Sequence, residues 1–95
     1  MKITIDGHEV VTEQDFHRQL AEALGVQDFY GYNLDALWDL LSASVERPLV
    51  LVWNDHDCSR GNIPHEFDGI IEVLERVKQQ DESFGWEDKF SYILD

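Results

Sequence analysis

The sequence predicts an α/β domain built on a three-stranded parallel sheet. Two observations carry that prediction. A continuous apolar run, PLVLVW at 48–53, has the pattern of a strand buried on both faces of a parallel sheet. Shorter strand-like segments lie near either end of the chain, each separated from that run by helix-like sequence, so the strands must be joined by crossovers and pair in parallel.

The elements follow in order. Residues 2–6 alternate, with Ile3 and Ile5 on one side, and Gly7 turns the chain after this first strand. A helix is expected over about 13–24: Thr12 can cap it, Asp15 sits where a capping-box acid would, and Phe16, Leu20, Ala23 and Leu24 form its apolar stripe before Gly25 stops it. Asp28 to Tyr32 form a loop, and Asn33 caps a second helix running to about Ser44. Pro48 breaks the chain before the 48–53 run, which is expected to be the central strand. The polar stretch 54–64 is a connection with room for short helical pieces, and Pro64 opens the longest helix. Phe67, Ile70, Ile71, Leu74 and Val77 share its apolar face, with Glu72, Glu75, Arg76, Gln79 and Gln80 towards water. Residues 81–88 read as a loop and 89–94 (KFSYIL) as the last strand.

Composition bounds the function. Ninety-five residues with 43% hydrophobic content suffice for one core and not for two, so one domain, 1–95, is expected. Twenty Asp and Glu against seven Lys and Arg give a charge of −13, which repels nucleic acid and anionic membranes and attracts basic surfaces. The same charge also serves plain solubility. The lone Cys58 cannot close an intramolecular disulfide, the start MKITIDG lacks the pattern of a secretory signal, and no apolar run approaches the ~20 residues of a membrane span. A cytoplasmic setting is expected, with no cofactor.

The informative stretch is DFYGYNLDALWDLLSASVE, 28–46. At about 100° per residue, Leu34, Leu37, Trp38, Leu41 and Val45 share one side of a helix, while Asp35, Asp39, Ser42 and Glu46 fall within an arc of about 60°. Between Gln19 and Glu46 there is no Lys or Arg to balance Glu22, Asp28, Asp35, Asp39 and Glu46. Asp35 lies in a first turn, where the helix dipole stabilises a carboxylate, and needs no functional reason. Asp39 is mid-helix, a poor helix former, and one turn from a like charge; that points to a positive partner, with a solvated acidic face as the ordinary alternative. Trp38 reads as half core and half rim. Phe29, Tyr30 and Tyr32 are either core staples or the aromatic anchors typical of interfaces.

YGYNLDALWDLL (30–41), followed by Glu46 and the strand at 48–53, closely resembles the corresponding part of the barstar family, intracellular inhibitors of the ribonuclease barnase. The first helix with His17, the last helix and the last strand also fit in outline, so the resemblance spans nearly the whole chain. It implies a two-layer fold, with a parallel sheet in order 1-2-3 packed against helices. It also implies a mechanism, in which the loop and second helix plug a ribonuclease active site and a mid-helix aspartate accepts hydrogen bonds from the groups that otherwise hold substrate phosphate. Asp39 occupies that position. Asp35, Asn33, Tyr30 and the backbone near Gly31 match other contact positions, Phe29 stands where the family uses tyrosine, and Trp38, Ser42 and Glu46 complete the expected partner-binding set. The implied partner is a basic extracellular-type ribonuclease or the toxic domain of a secreted effector. The free chain is expected to be a monomer, binding its target 1:1.

Departures from the family bear on the partner. Arg76 stands where the family's last long helix carries an interface acid, Ser44 replaces a tryptophan, and the loop before the last strand is longer. Two other classes remain open. NDHDC (54–58) with His65 and Glu66 places carboxylates, imidazoles and a thiol after a parallel strand, as a small metal-dependent or hydrolytic enzyme would, although their spacing matches no metal signature. An acidic module for a basic partner that is not a nuclease is the other.

Overall fold

The computed structural model describes all of residues 1–95. Strand β1 (Lys2–Asp6) leads through a 3₁₀ turn to helix α1 (Glu13–Leu24); α2 (Leu34–Asp39) runs on into a π-helical turn, Leu40–Ser44. Strand β2 (Leu49–Asn54), helices α3 (His56–Asn62) and α4 (Pro64–Phe84) and strand β3 (Phe90–Leu94) complete the chain. The sheet is parallel throughout in order β1-β2-β3, with Ile3 opposite Leu51 and Leu51 opposite Tyr92. The central strand and the strand order are those expected.

Local chemistry explains the element ends. Thr12 accepts from the Asp15 N–H while Asp15 Oδ2 accepts from the Thr12 N–H at 2.9 Å, the reciprocal capping box anticipated for α1. Gly25, at φ 69°, supplies the left-handed turn that ends the helix. Asn33 Oδ1 accepts from the Ala36 N–H at 2.8 Å and so starts α2.

Twenty-one buried apolar residues form the core. At its centre Trp53 is fully buried, stacked on Phe16 of α1 at 4.8 Å and tilted against Phe67 of α4 at 5.0 Å. Its Nε1 donates to Ser59 of α3, which donates in turn to the Gly7 carbonyl, so the buried polar atoms are all partnered. No helix is long and apolar enough to cross a membrane.

Several expectations are corrected. β2 is not buried on both faces: Leu49, Leu51 and Trp53 are buried, whereas Val50 and Val52, on the face without helices, are half-buried. This is what a two-layer rather than a three-layer arrangement imposes. In α1 the buried face is Phe16, His17, Leu20 and Ala21, with Ala23 exposed and Leu24 only partly covered. In the second helical segment Leu40 joins Leu37 and Leu41 in the core, and Val45 is only partly covered because the wider π turn rotates the residues after Asp39. On α4 Val73 is buried and Ile71 half-buried, while Glu75 and Gln80 are drawn partly out of water by hydrogen bonds to the Tyr92 hydroxyl and the Ser42 carbonyl.

The largest correction concerns residues 81–84, which continue α4 rather than opening a loop. Asp81 is fully buried and bonded by Arg47, through Nε at 2.6 Å and Nη2 at 3.2 Å, and by the Phe90 N–H at 2.7 Å. Gly85, at φ 68°, ends the helix, and only 85–89 form the connection to β3.

Candidate functional site

The loop between α1 and α2 is held from below. Its backbone turns on Val26, whose carbonyl accepts from the N–H groups of Phe29 and Tyr30, and Gln14 of α1 donates to the Tyr32 carbonyl at 3.0 Å. Tyr32 itself sits at φ 57°, a left-handed backbone that bulky residues rarely adopt. Gly31 is required by closeness, since a Cβ there would lie 2.9 Å from the Ala36 side chain. The loop therefore presents a shaped backbone to the surface, and Phe29 stands out from it 73% exposed.

Tyr30 points the other way. Only 7% exposed, it reaches the buried His17, whose Nδ1 lies 2.6 Å from the Tyr30 hydroxyl and whose Nε2 lies 2.8 Å from Glu13 Oε2. A carboxylate can only accept, so Nε2 carries the proton, and in the neutral ring Nδ1 accepts from the Tyr30 O–H. Burial holds the His17 pKa below its usual 6.5, against the opposing pull of Glu13. Burial likewise pushes the Tyr30 hydroxyl pKa up, so it remains a donor.

This link makes the loop's support pH-sensitive. Above pH 6.5 the imidazole is neutral in both folded and unfolded chains; below it the unfolded chain takes a proton that the buried ring resists, and stability falls until the lowered folded value is reached. Asp15, Asp81 and Glu75 also have lowered pKa values, but their contributions begin to fade only near 3.8 for the aspartates and 4.5 for Glu75. Urea melts from pH 7.5 to 5 should show stability declining on the acid side of 6.5. A flat profile would show that His17 titrates freely in the fold.

Three hollows are lined in part by this loop and the helical segment after it. One of about 340 Å³ is lined by Phe29, Tyr30, Gly31, Ala36, Asp39, Leu40 and Ser44, so it joins the loop, its shaped backbone and the Asp39 carboxylate. A second, about 220 Å³, lies beyond Phe29 and includes Leu40, Ser44 and Glu46. The third, about 300 Å³, lies between α2 and α4 and brings Asp35 and Trp38 to Arg76. Asp39, Asp35 and Glu46 are exposed and none forms an ion pair. The expected single acidic stripe is therefore divided: Asp39 opens towards the loop, Asp35 towards α4, and Glu46 follows the end of the helical segment. Asn33 is occupied as a cap, and the Ser42 carbonyl is tied to Gln80; neither lines a hollow. Ala36 and Leu40, which the sequence reading passed over, line the Asp39 hollow because they stand one turn apart on the side facing the loop.

Chemically, the Asp39 hollow offers a carboxylate without a partner, beside backbone and aromatic surface that needs little reordering. A carboxylate has the planar oxygen pair that Arg engages bidentately, and preformed placement reduces the ordering cost of binding. The stretch after β2 is different. Cys58 Sγ lies 3.5 Å from His8 Nδ1, and His8 Nε2 lies 3.4 Å from Asp55, but none of the hollows opens on the thiol. His56 is bonded to the Asp95 carbonyl, and no three His, Cys, Asp or Glu side chains converge as metal ligands.

The model of the family described as Barstar (barnase inhibitor) matches residues 1–92. The chain is also 33% identical over 94 residues to the Bacillus subtilis (strain 168) protein named "Putative ribonuclease inhibitor YrdF", covering 99% of this chain and 98% of that relative. With the parallel three-stranded sheet and the loop–helix face already described, these likenesses place the chain in the barstar family, to which it belongs.

Proposed function

We propose that this chain, like the family it belongs to, is a ribonuclease inhibitor, and that its target is a basic ribonuclease of the barnase type, held 1:1. The loop 29–33 and the helical segment 33–44 enter the active-site groove, and Asp39 takes the cationic groups that otherwise bind substrate phosphate. Gly31 lets the loop backbone lie close to the helix, Phe29 packs against the partner's surface, and Asp35 and Glu46 supply charge at the margins. The carrying observation is the exposed, unpaired Asp39 carboxylate lining the 340 Å³ hollow with Phe29 and Gly31. The chain acts by occlusion and catalyses nothing itself. Where the target is the toxic domain of a secreted effector, the chain serves as its immunity protein in the cytoplasm.

The test is a titration of purified chain against a panel of barnase-type ribonucleases, including barnase and toxin domains, with RNA cleavage as the readout. Activity of at least one enzyme should fall linearly to near zero at one equivalent, and the chain alone should cleave no RNA. Undiminished activity across the panel would remove the reading.

A further inference from the structure

Arg18, Arg47 and Arg60 each commit their guanidinium to a carboxylate of the chain. Arg76 does not. It is exposed on α4, with Cζ 4.5 Å from the centre of the Trp38 ring, and it forms no ion pair although Asp35 and Glu72 line the same 300 Å³ hollow. Stacking on an indole restricts an arginine without using its N–H groups, so the planar fork is held in place with its donors free. Trp38 in turn is anchored on α2, within one residue of Asp39. A cation is thus held beside Asp35 and Glu72, next to the acidic binding face.

A partner that docks on Asp39 and Asp35 must meet this cation. A Lys or Arg brought against it would be repelled in a water-poor contact, whereas a carboxylate would be engaged by two parallel N–H bonds. Asp35 and Glu72 line the same hollow and repel a negative charge, so a partner carboxylate is favoured only where it bonds the guanidinium directly. Resting on the inhibitor reading above and deepening it, we infer that Arg76, stacked on Trp38, is a specificity-determining residue. It selects ribonucleases that carry an aspartate or glutamate beside their basic active-site groove and rejects those with a basic residue there.

The experiment uses the same panel, with wild type, Asp39→Ala, Arg76→Gln and Arg76→Glu, each checked by a denaturant melt. For the enzyme that wild type inhibits best, Arg76→Gln should raise the inhibition constant about tenfold and Arg76→Glu further. Neutralising the acids around that enzyme's groove one at a time should reveal one whose loss removes the difference between wild type and Arg76→Gln. Enzymes with a basic residue at that place should instead be inhibited better by Arg76→Glu than by wild type. If wild type inhibits and Asp39→Ala does not, yet both Arg76 variants change every constant less than twofold, or change all enzymes alike whatever their charge, this inference falls while the inhibitor reading stands. If wild type inhibits no enzyme, both fall together.

Discussion

Asp39→Ala is expected to weaken inhibition by at least ~2 kcal/mol, about thirtyfold, because the cationic groups of the ribonuclease would be buried without their counter-charge. The expectation joins the family's use of its mid-helix aspartate to the geometry found here, an exposed carboxylate lining the hollow beside Gly31. Folding should respond in the opposite sense. Asp39 makes no ion pair and stands one turn from Asp35, so its removal should leave stability unchanged or slightly higher. Leu37→Ala supplies the contrast: Leu37 is fully buried, and its truncation should cost ~2–5 kcal/mol of stability. Inhibition constants and denaturant melts on both variants separate the roles. An Asp39→Ala chain that unfolds, yet binds normally per folded molecule, would make Asp39 structural.

Asp81→Ala should cost ~3–5 kcal/mol of stability, since it leaves the Arg47 guanidinium uncompensated in a nearly water-free site. Arg47 holds more than Asp81. Its Nη1 donates to the Val45 carbonyl at 2.8 Å and its Nη2 to the Leu41 carbonyl at 2.7 Å, satisfying acceptors at the end of the π turn. Asp81 thereby ties the last turn of α4, the start of β3 and the end of the Asp39-bearing segment to one another. Burial alone would raise its pKa, but the Arg47 bonds and the Phe90 N–H outweigh that and hold it below the usual 3.8. Asp81→Asn keeps an acceptor for Phe90 and should lose less than Asp81→Ala. Because Asp81 lines none of the hollows, inhibition per folded molecule should change little. A urea-melt loss below ~1 kcal/mol would mean that Arg47 escapes to water, as exposed pairs allow.

Much of the architecture is legible without coordinates. The capping box of Thr12 and Asp15, the Asn33 cap, the Gly25 stop and the alternation of β1 each depend on residues within a few positions of one another, where periodicity and capping act. The 48–53 run also marks the central strand, and β2 lies between β1 and β3 as expected. Its second face is half-buried rather than buried for a tertiary reason, as nothing in the run says whether helices cover one side of the sheet or both. The loop and second helix are legible as a binding face mainly through family resemblance; the charge pattern by itself leaves a solvated face as the ordinary alternative.

What the sequence determined by itself is therefore the order and type of the elements, the strongly negative charge, and the stretch 28–46 as the place to look. Tertiary structure decided the rest. It turned Tyr30 inward onto His17, 13 residues away, and carried α4 through Asp81 because Arg47, 34 residues away, pairs with it. It closed the helical segment with a π turn that divides the acids, and it set Arg76 over Trp38 beside Asp35. The physical reason is common to all four. Hydrogen bonds, ion pairs and stacking contacts between residues far apart in the chain form only after the sheet and helices have packed, so neither helical period nor local propensity carries their signal.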